Sequence, residues 1–248
     1  PCTVCNDRLK FGLLMQKARE LGADRVASGH YAVIEERVVA GESRYVLKKG
    51  KDPKKDQSYF LFNLDQDQLG TILLPVGGME KSEVRKLAKE LGLPVHSKPD
   101  SVEICFIPDN DYKSFLKREK AMLHPGKIVT TAGKVLGSHE GIELYTIGQR
   151  KGIGIGGKEP YYVVRIDPHK HAVVVGDNND LFRKDFIVES LNWISCDSLA
   201  GPLVVETKIR YNSPAVRSVI VPAGKNRVQV VFDEPQRAVT PGQAAFFY

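Results

Sequence analysis

The chain has 248 residues, with 42% apolar and 27% charged residues and a formal net charge of +6. That length can bury a sizeable core, as one large domain or two to three small ones. No apolar run approaches the roughly 20 residues of a membrane span, so an integral helical membrane protein is excluded. The four cysteines do not make a disulfide framework, and a reducing compartment fits them better.

The chain opens with "PCTVCN", a C-x-x-C pair at Cys2 and Cys5. The following "DRLKFGLLMQKAREL" places Phe11, Leu14, Met15, Ala18 and Leu21 on one helical face, with Asn6 or Asp7 as the cap and Gly22 as the stop. Cys5 then falls just before a helix N-terminus, where thiolate is favoured. The plainer reading is two small residues at a loop-to-helix junction. A zinc site would need a second C-x-x-C or an H-x(3–5)-H pair, and neither is present. His169 and His171 stand two apart in "DPHKHAV", which reads as a hairpin turn.

"RVASGHYAVIEE" reads as a strand broken at Gly29. "LKKGKDPKKDQSYFLFNL" carries five lysines from Lys48 to Lys55, then amide and aromatic groups. Such a run is usually a solvated face, although it also describes an RNA contact. "KSEVRKLAKELGL" is an amphipathic helix ending at a glycine, and "DNDYKSFLKREKAML" is another, started by Asp109 or Asn110. Between them "PDSVEICFIP" sets Cys105 among Ile104, Phe106 and Ile107. Taken alone this is a buried, inert core thiol.

After "HPGKIV" the pattern changes to short alternating strands: "KIVTT", "YYVVRI", "HAVVVG", "FIVESLNWI", "LVVETKIRY", "RSVIVPA", "RVQVVFDE" and "QAAFFY". That spacing predicts a sandwich or barrel. "YTIGQRKGIGIGGKEP" packs five glycines between Gly148 and Gly157 around Arg150 and Lys151. It lacks the strand-then-helix context of a dinucleotide loop. A loop whose backbone and two cations approach a polyanion fits better, and a floppy hairpin tip is the plain alternative. "KIRYNSPA" sets Arg210 and Tyr211 at a strand end, as a phosphate-plus-stacking pair or a mere strand edge.

The expected organisation is an α/β part over 1–123, a small β-rich central domain over 124–194 and a β-barrel-like domain over 195–248. The two halves share the charge: residues 1–124 hold 21 Lys/Arg against 18 Asp/Glu, and 125–248 hold 15 against 12. This permits an anionic partner without requiring one.

Taken in order, "PCTVCNDRLKFG", "ASGHYA", "KDQSYFL", "DSVEICFI", "TIGQRKGIGIGG", "YYVV" and "IRYNS" resemble the motifs of the tRNA-specific 2-thiouridylases. The likeness covers essentially the whole chain. It implies the remainder of an adenine-nucleotide-hydrolase-like Rossmann-type α/β domain, followed by a small central domain and a C-terminal β-barrel-like domain. It implies an ATP-dependent enzyme that replaces the C2 oxygen of the wobble uridine of tRNA with sulfur. ATP adenylates that oxygen, a cysteine persulfide delivers sulfur, and a second cysteine helps release it. By motif position Cys5 matches the first catalytic cysteine and disulfide partner, and Cys105 the persulfide bearer. Gly29 matches an ATP contact. Pro1 and Cys2 lie in a tRNA-contacting motif. Lys55, Asp56 and Gln57 match a tRNA-contacting triplet, Arg210 and Tyr211 match another, and Arg150 with Lys151 are added as cations facing the tRNA.

A Cys5–Cys105 disulfide is then the by-product of turnover, which requires residues 1–6 and 99–108 to converge on one cleft with Cα atoms within about 7 Å. An apolar setting for Cys105 would protect its persulfide. Two departures stand beside the likeness. The family's Ser-Gly-Gly-x-Asp-Ser nucleotide loop and its last strands are not in this sequence, so the chain is expected to be a fragment that does not turn over alone. Many relatives carry Asp where Cys2 stands. Mg²⁺ is expected to accompany ATP, with no protein ligand visible here. A sulfur-donor protein, a monomeric state, a cytoplasmic location and no membrane contact complete the expectations. A non-catalytic RNA-binding protein with structural or regulatory cysteines is the rival. An amide-forming synthetase relative that adenylates another substrate is a third reading, and it leaves "KDQSYFL" and the paired cysteines unexplained.

Overall fold

The computed structural model describes residues 2–39, 41–98, 105–107, 111–119, 122–157 and 159–248. The chain divides into two compact units, residues 1–106 with 190–200 and residues 107–189 with 201–248.

In the first unit a helix runs from α1 (Cys2–Val4) through a π-helical stretch (Cys5–Leu13) into α2 (Leu14–Glu20). The Leu14 amide bonds the Leu9 carbonyl five residues back, which widens the turn. Phe11 and Met15 remain buried at 2% and 4% exposure, whereas Leu14 and Leu21 are exposed at 53% and 76%. The expected apolar face is therefore only partly right, because the wide turn rotates later residues away from a 3.6-residue period. Asn6 is no cap either. The helix already runs at Cys2, and the buried Asn6 donates Nδ2 to the Phe60 carbonyl at 3.1 Å. Gly22, at φ +78°, ends the helix as expected.

Strand β1 (Val26–Ala27) precedes a hairpin of β2 (Ala32–Val39) and β3 (Glu42–Lys49). Next come α3 (Gln66–Thr71) and β4 (Ile72–Leu73), which pairs parallel to β1. Helix α4 (Lys81–Glu90) carries a capping box of Glu80 and Glu83, and Gly92 follows its end at φ +68°. Phe11, Met15, Ala32, Leu61, Leu64, Leu69 and Ile72 form the core.

Residues 190–200 also belong to this unit. Asn192 Nδ2 donates to the Phe62 and Leu64 carbonyls at 2.6 and 3.0 Å. Arg44 Nη1 donates to the Ile194 and Cys196 carbonyls, each at 3.2 Å, and Nη2 pairs with Asp197.

The second unit begins with α5 (Tyr112–Arg118). Asp109 and Asn110, the expected starters, lie outside the described residues. Asp111 is the cap, accepting from the Ser114 amide at 3.0 Å. Strands β5 (Gly126–Thr130), β6 (Val135–His139), β7 (Tyr162–Asp167) and β8 (Ala172–Gly176) form a sheet of order β6-β5-β8-β7. Only β5 and β8 pair in parallel. Strand β6, "VLGSH", has too little apolar alternation to be expected from sequence. The β7–β8 turn holds His169 as predicted, with the Lys170 amide donating to Asp167 Oδ1 at 3.1 Å and His171 at φ +46°.

A second sheet joins β9 (Phe182–Glu189), β10 (Leu203–Lys208), β11 (Val216–Pro222), β12 (Arg227–Arg237) and β13 (Phe246–Phe247), in the order β13-β10-β11-β12-β9 and antiparallel throughout. The strand read through Ile194 stops at Glu189, where Ser190 turns the chain with φ +57°. Strand β9, grouped by the sequence with the central domain, hydrogen-bonds to β12 of this second sheet.

Candidate functional site

In the first unit, Cys2 is exposed and opens the helix among the described residues, and Cys5 is part-exposed. Cys5 thus sits behind the first helical turn and not at the loop-to-helix junction the sequence implied. The arrangement around it places Asn6 under Phe60 and the buried Phe11 ring 5.8 Å from the imidazole of His30. His30 is itself buried, with Nδ1 2.6 Å from Ser28 Oγ. Burial, with the charge of Lys10 second, lowers its pKa from 6.5 to about 4, so the ring is neutral at pH 7. The sequence reading passed over His30, whose only signal was a polar Ser-Gly-His at a strand break.

Gly29 lies exposed beside it, and a Cβ added there would meet open space. Its backbone is open to a ligand. On the other side the Tyr31 ring is buried under Lys81 Nζ, 5.3 Å from the centroid, and its hydroxyl has no hydrogen-bond partner among the described residues.

Cys105 corrects an expectation. It is exposed in a turn, with Phe106 at 53% exposure and Ile107 buried. Apolar neighbours in sequence do not shelter a thiol when the chain turns outward between them. All four cysteines are free thiols. Pro1, residues 99–104 and Pro108 lie outside the described residues.

The "KDQ" segment is more tightly engaged than a solvated run. Asp56 is buried at 7% exposure and accepts from the Gly50 and Ser58 amides at 3.0 and 3.1 Å and from Ser58 Oγ at 2.9 Å. Gln57 Oε1 accepts from the Tyr31 amide at 3.0 Å. Lys55 is part-exposed, and its amide closes a turn on the Asp52 carbonyl at 3.0 Å. The Lys81 amide holds the Asp52 carboxyl below its ordinary value. Of the five lysines, Lys48 pairs with Glu35 and Lys51 with Glu83, each at 3.0 Å.

In the second unit the glycine-rich loop is anchored at both ends. Ile147 and Ile153 are buried, Gly148 and Gln149 bond across to Val163, and Gln149 Nε2 donates to the Lys151 carbonyl at 2.9 Å. Arg150 and Lys151 project from this anchored turn, exposed and without an ion pair among the described residues. Arg210 is turned inward. Its guanidinium donates to the Ile147 carbonyl at 3.0 Å, the Ala238 carbonyl at 2.9 Å and Thr240 Oγ1 at 2.5 Å. Tyr211 carries Lys208 Nζ 5.5 Å from its ring centroid.

Among the described residues no group of three or more His, Cys, Asp or Glu side chains is arranged to hold a metal ion, so none is assigned to Mg²⁺. No helix of the described residues is long and apolar enough to cross a membrane.

Three family descriptions match in succession: a tRNA methyl transferase HUP domain over residues 1–109, a tRNA methyl transferase PRC-barrel domain over 113–177 and an aminomethyltransferase beta-barrel domain over 183–248. The chain is 48% identical over 249 aligned positions to the tRNA-specific 2-thiouridylase MnmA of Halothermothrix orenii, covering all of this chain and 69% of that protein. The proteins of the same name from Clostridioides difficile and Acetivibrio thermocellus are each 49% identical across the whole chain, which covers 68% and 69% of their lengths.

Proposed function

The chain belongs to the tRNA-specific 2-thiouridylase family, and on that premise we propose that it is the thiol-bearing and tRNA-gripping portion of an ATP-dependent tRNA-uridine 2-sulfurtransferase. The observation that carries this reading is identity of 47–49% across the whole chain to proteins of that one name. The matching family descriptions speak of methyl transfer. Two free cysteines in the matching motifs, Cys5 and Cys105, fit a sulfur transfer in which one thiol carries the sulfur and the other releases it.

In the proposed reaction the C2 oxygen of the wobble uridine attacks the α-phosphorus of ATP, and pyrophosphate leaves. The terminal sulfur of a Cys105 persulfide, loaded by a sulfur-donor protein, attacks C2, and AMP leaves with the oxygen. The Cys5 thiolate then attacks Cys105 Sγ. The S–S bond to the base breaks, 2-thiouridine is released, and a Cys5–Cys105 disulfide remains for a reductant thiol to open. The exposed position of Cys105 suits loading by another protein. The open backbone at Gly29 suits a nucleotide, and the projecting Arg150 and Lys151 suit tRNA phosphates. The reading places the enzyme in the cytoplasm as a monomer.

The test incubates the full-length protein, with the family's Ser-Gly-Gly-x-Asp-Ser nucleotide loop restored ahead of this chain, with ATP, Mg²⁺, a persulfide donor and unmodified tRNA, followed by nucleoside mass spectrometry beside Cys105→Ser. 2-Thiouridine from wild type alone supports the reading. Unchanged product from the variant removes the persulfide from Cys105. No product from either turns the reading toward a non-catalytic RNA-binding protein.

A further inference from the structure

The glycine-rich loop of the second unit is pinned by its carbonyls. Gln149 Nε2 donates to the Lys151 carbonyl at 2.9 Å, and the Tyr145 hydroxyl donates to the Ile153 carbonyl at 3.4 Å. In a planar trans peptide the N–H points opposite to the C=O. The amides that follow, those of Gly152 and Gly154, therefore point away from the two anchors. Both glycines are exposed and left-handed, at φ +71° and +84°, on either side of the buried Ile153. Among the described residues no backbone amide from Arg150 to Gly154 donates a hydrogen bond. Free N–H groups on backbone that alternates in this way form a concavity suited to an anion.

The charge around the loop has one sign. Residues 146–157 contain no acidic side chain. Lys113 Nζ of α5 stands 3.8 Å from where a Cβ would sit on Gly152, and Arg237 Nη1 stands 3.6 Å from the same point on Gly148. Arg237 is held by neutral groups: Nε donates to Asn178 Oδ1 at 3.1 Å, and the guanidinium lies 5.3 Å from the Tyr162 ring centroid. The two carboxylates whose charge reaches Lys113 are engaged elsewhere, Asp111 on the Ser114 amide and hydroxyl and Glu140 on Lys117 Nζ at 2.6 Å.

The geometry points to a phosphate site formed by the Gly152 and Gly154 amides with Lys113, and its ligand is a phosphate of the tRNA backbone. The inference rests on the proposed function and deepens it, because it adds backbone donors and Lys113 to a contact assigned so far to the Arg150 and Lys151 side chains. The two kinds of donor separate in salt. A lysine on a phosphate releases a counterion, whereas a neutral amide on the same phosphate releases none.

The experiment measures the Kd of the full-length protein for unmodified tRNA at several salt concentrations. Lys113→Ala is expected to lower the slope of log Kd against log salt by about one. Gly152→Ala changes no charge but strains a left-handed position. It should raise Kd about tenfold with the slope unchanged, the scale of one hydrogen bond to a charged group. Gly156→Ala, where a Cβ meets open space, should stay within about twofold of wild type. A wild-type slope in Lys113→Ala or a wild-type Kd in Gly152→Ala would overturn the site, as would equal losses in Gly152→Ala and Gly156→Ala. Should Gly152→Ala not fold, or wild type bind no tRNA, amide NMR of the wild type decides. Shifts of the Gly152 and Gly154 signals on titration with tRNA support the inference. Shifts with inorganic phosphate and not with tRNA would overturn tRNA as the ligand, and no shift with either would overturn the site itself. Formation of 2-thiouridine by the wild type reports on the proposed function separately.

Discussion

Arg210 donates to the backbone carbonyl of Ile147 at 3.0 Å, so a residue whose motif implied a phosphate contact is tied to the root of the glycine-rich loop. The same nitrogen, Nη2, also reaches the Ala238 carbonyl and Thr240 Oγ1, at a position that the planar guanidinium fixes and a flexible lysine ammonium does not. Arg210→Lys keeps the charge and is expected to destabilise the protein by about 1–3 kcal/mol, read as a lower midpoint in denaturant. Its tRNA salt slope should change by clearly less than one. Arg150→Ala and Lys151→Ala should each lower that slope by about one, because each removes one exposed cation from the phosphates.

His30 sets a pH dependence. The unfolded chain protonates it near 6.5 and the folded chain only near 4, so the unfolded state binds more protons in between. Stability therefore rises with pH through that window and is lost as pH falls from 6.5 to 4, by about 3 kcal/mol in all. Denaturant titrations across that range should show the loss in wild type and a flatter profile in His30→Gln. Equal slopes in both would remove His30 from the account.

Gly77 lies so close to β2 that an added Cβ would stand 1.7 Å from the Ala32 carbonyl oxygen. The atoms in the way are all Ala32 backbone, with no flexible side-chain end to yield. Gly77→Ala is expected to cost about 3 kcal/mol or more, with little soluble protein at 37 °C. Gly78→Ala, where a Cβ meets open space, is the control and should lie within about 1 kcal/mol of wild type.

Arg44 and Asn192 hold residues 190–200 through four backbone carbonyls. Arg44→Ala is expected to loosen that segment locally, speeding its amide exchange tenfold or more for a loss of about 1–3 kcal/mol. Exchange in β10 to β12 should be unaffected. Exchange mapped by mass spectrometry separates the two.

Thiol accessibility gives a direct check. Cys2 and Cys105 are exposed, and Cys5 and Cys196 are part-exposed. Brief alkylation with iodoacetamide should label Cys2 and Cys105 first, as located by peptide mass spectrometry. A slow Cys105 would restore the buried setting that its sequence neighbours implied.

Elements with a strong local signal were legible in the sequence. The valine run of "HAVVVG" and the alternation of "RVQVVFDE" became β8 and β12, and the stop at Gly22 held because only glycine enters φ +78° without strain. The motif order also carried the family. The partners of particular polar groups were not legible. "KDQ" looks the same whether Gln57 faces tRNA or Tyr31, and "IRY" looks the same whether Arg210 faces a phosphate or Ile147.

Composition, periodicity and glycine placement, which act over a few neighbouring residues, were enough for the strands, most helix ends and the family to be read from the chain alone. The inward guanidinium of Arg210 depends on residues tens of positions away. A hydrogen bond such as Arg44 to Ile194, across 150 residues, leaves no periodic trace in sequence. Only the folded chain brings such groups within 3 Å or so of each other, where desolvation makes their pairing decisive.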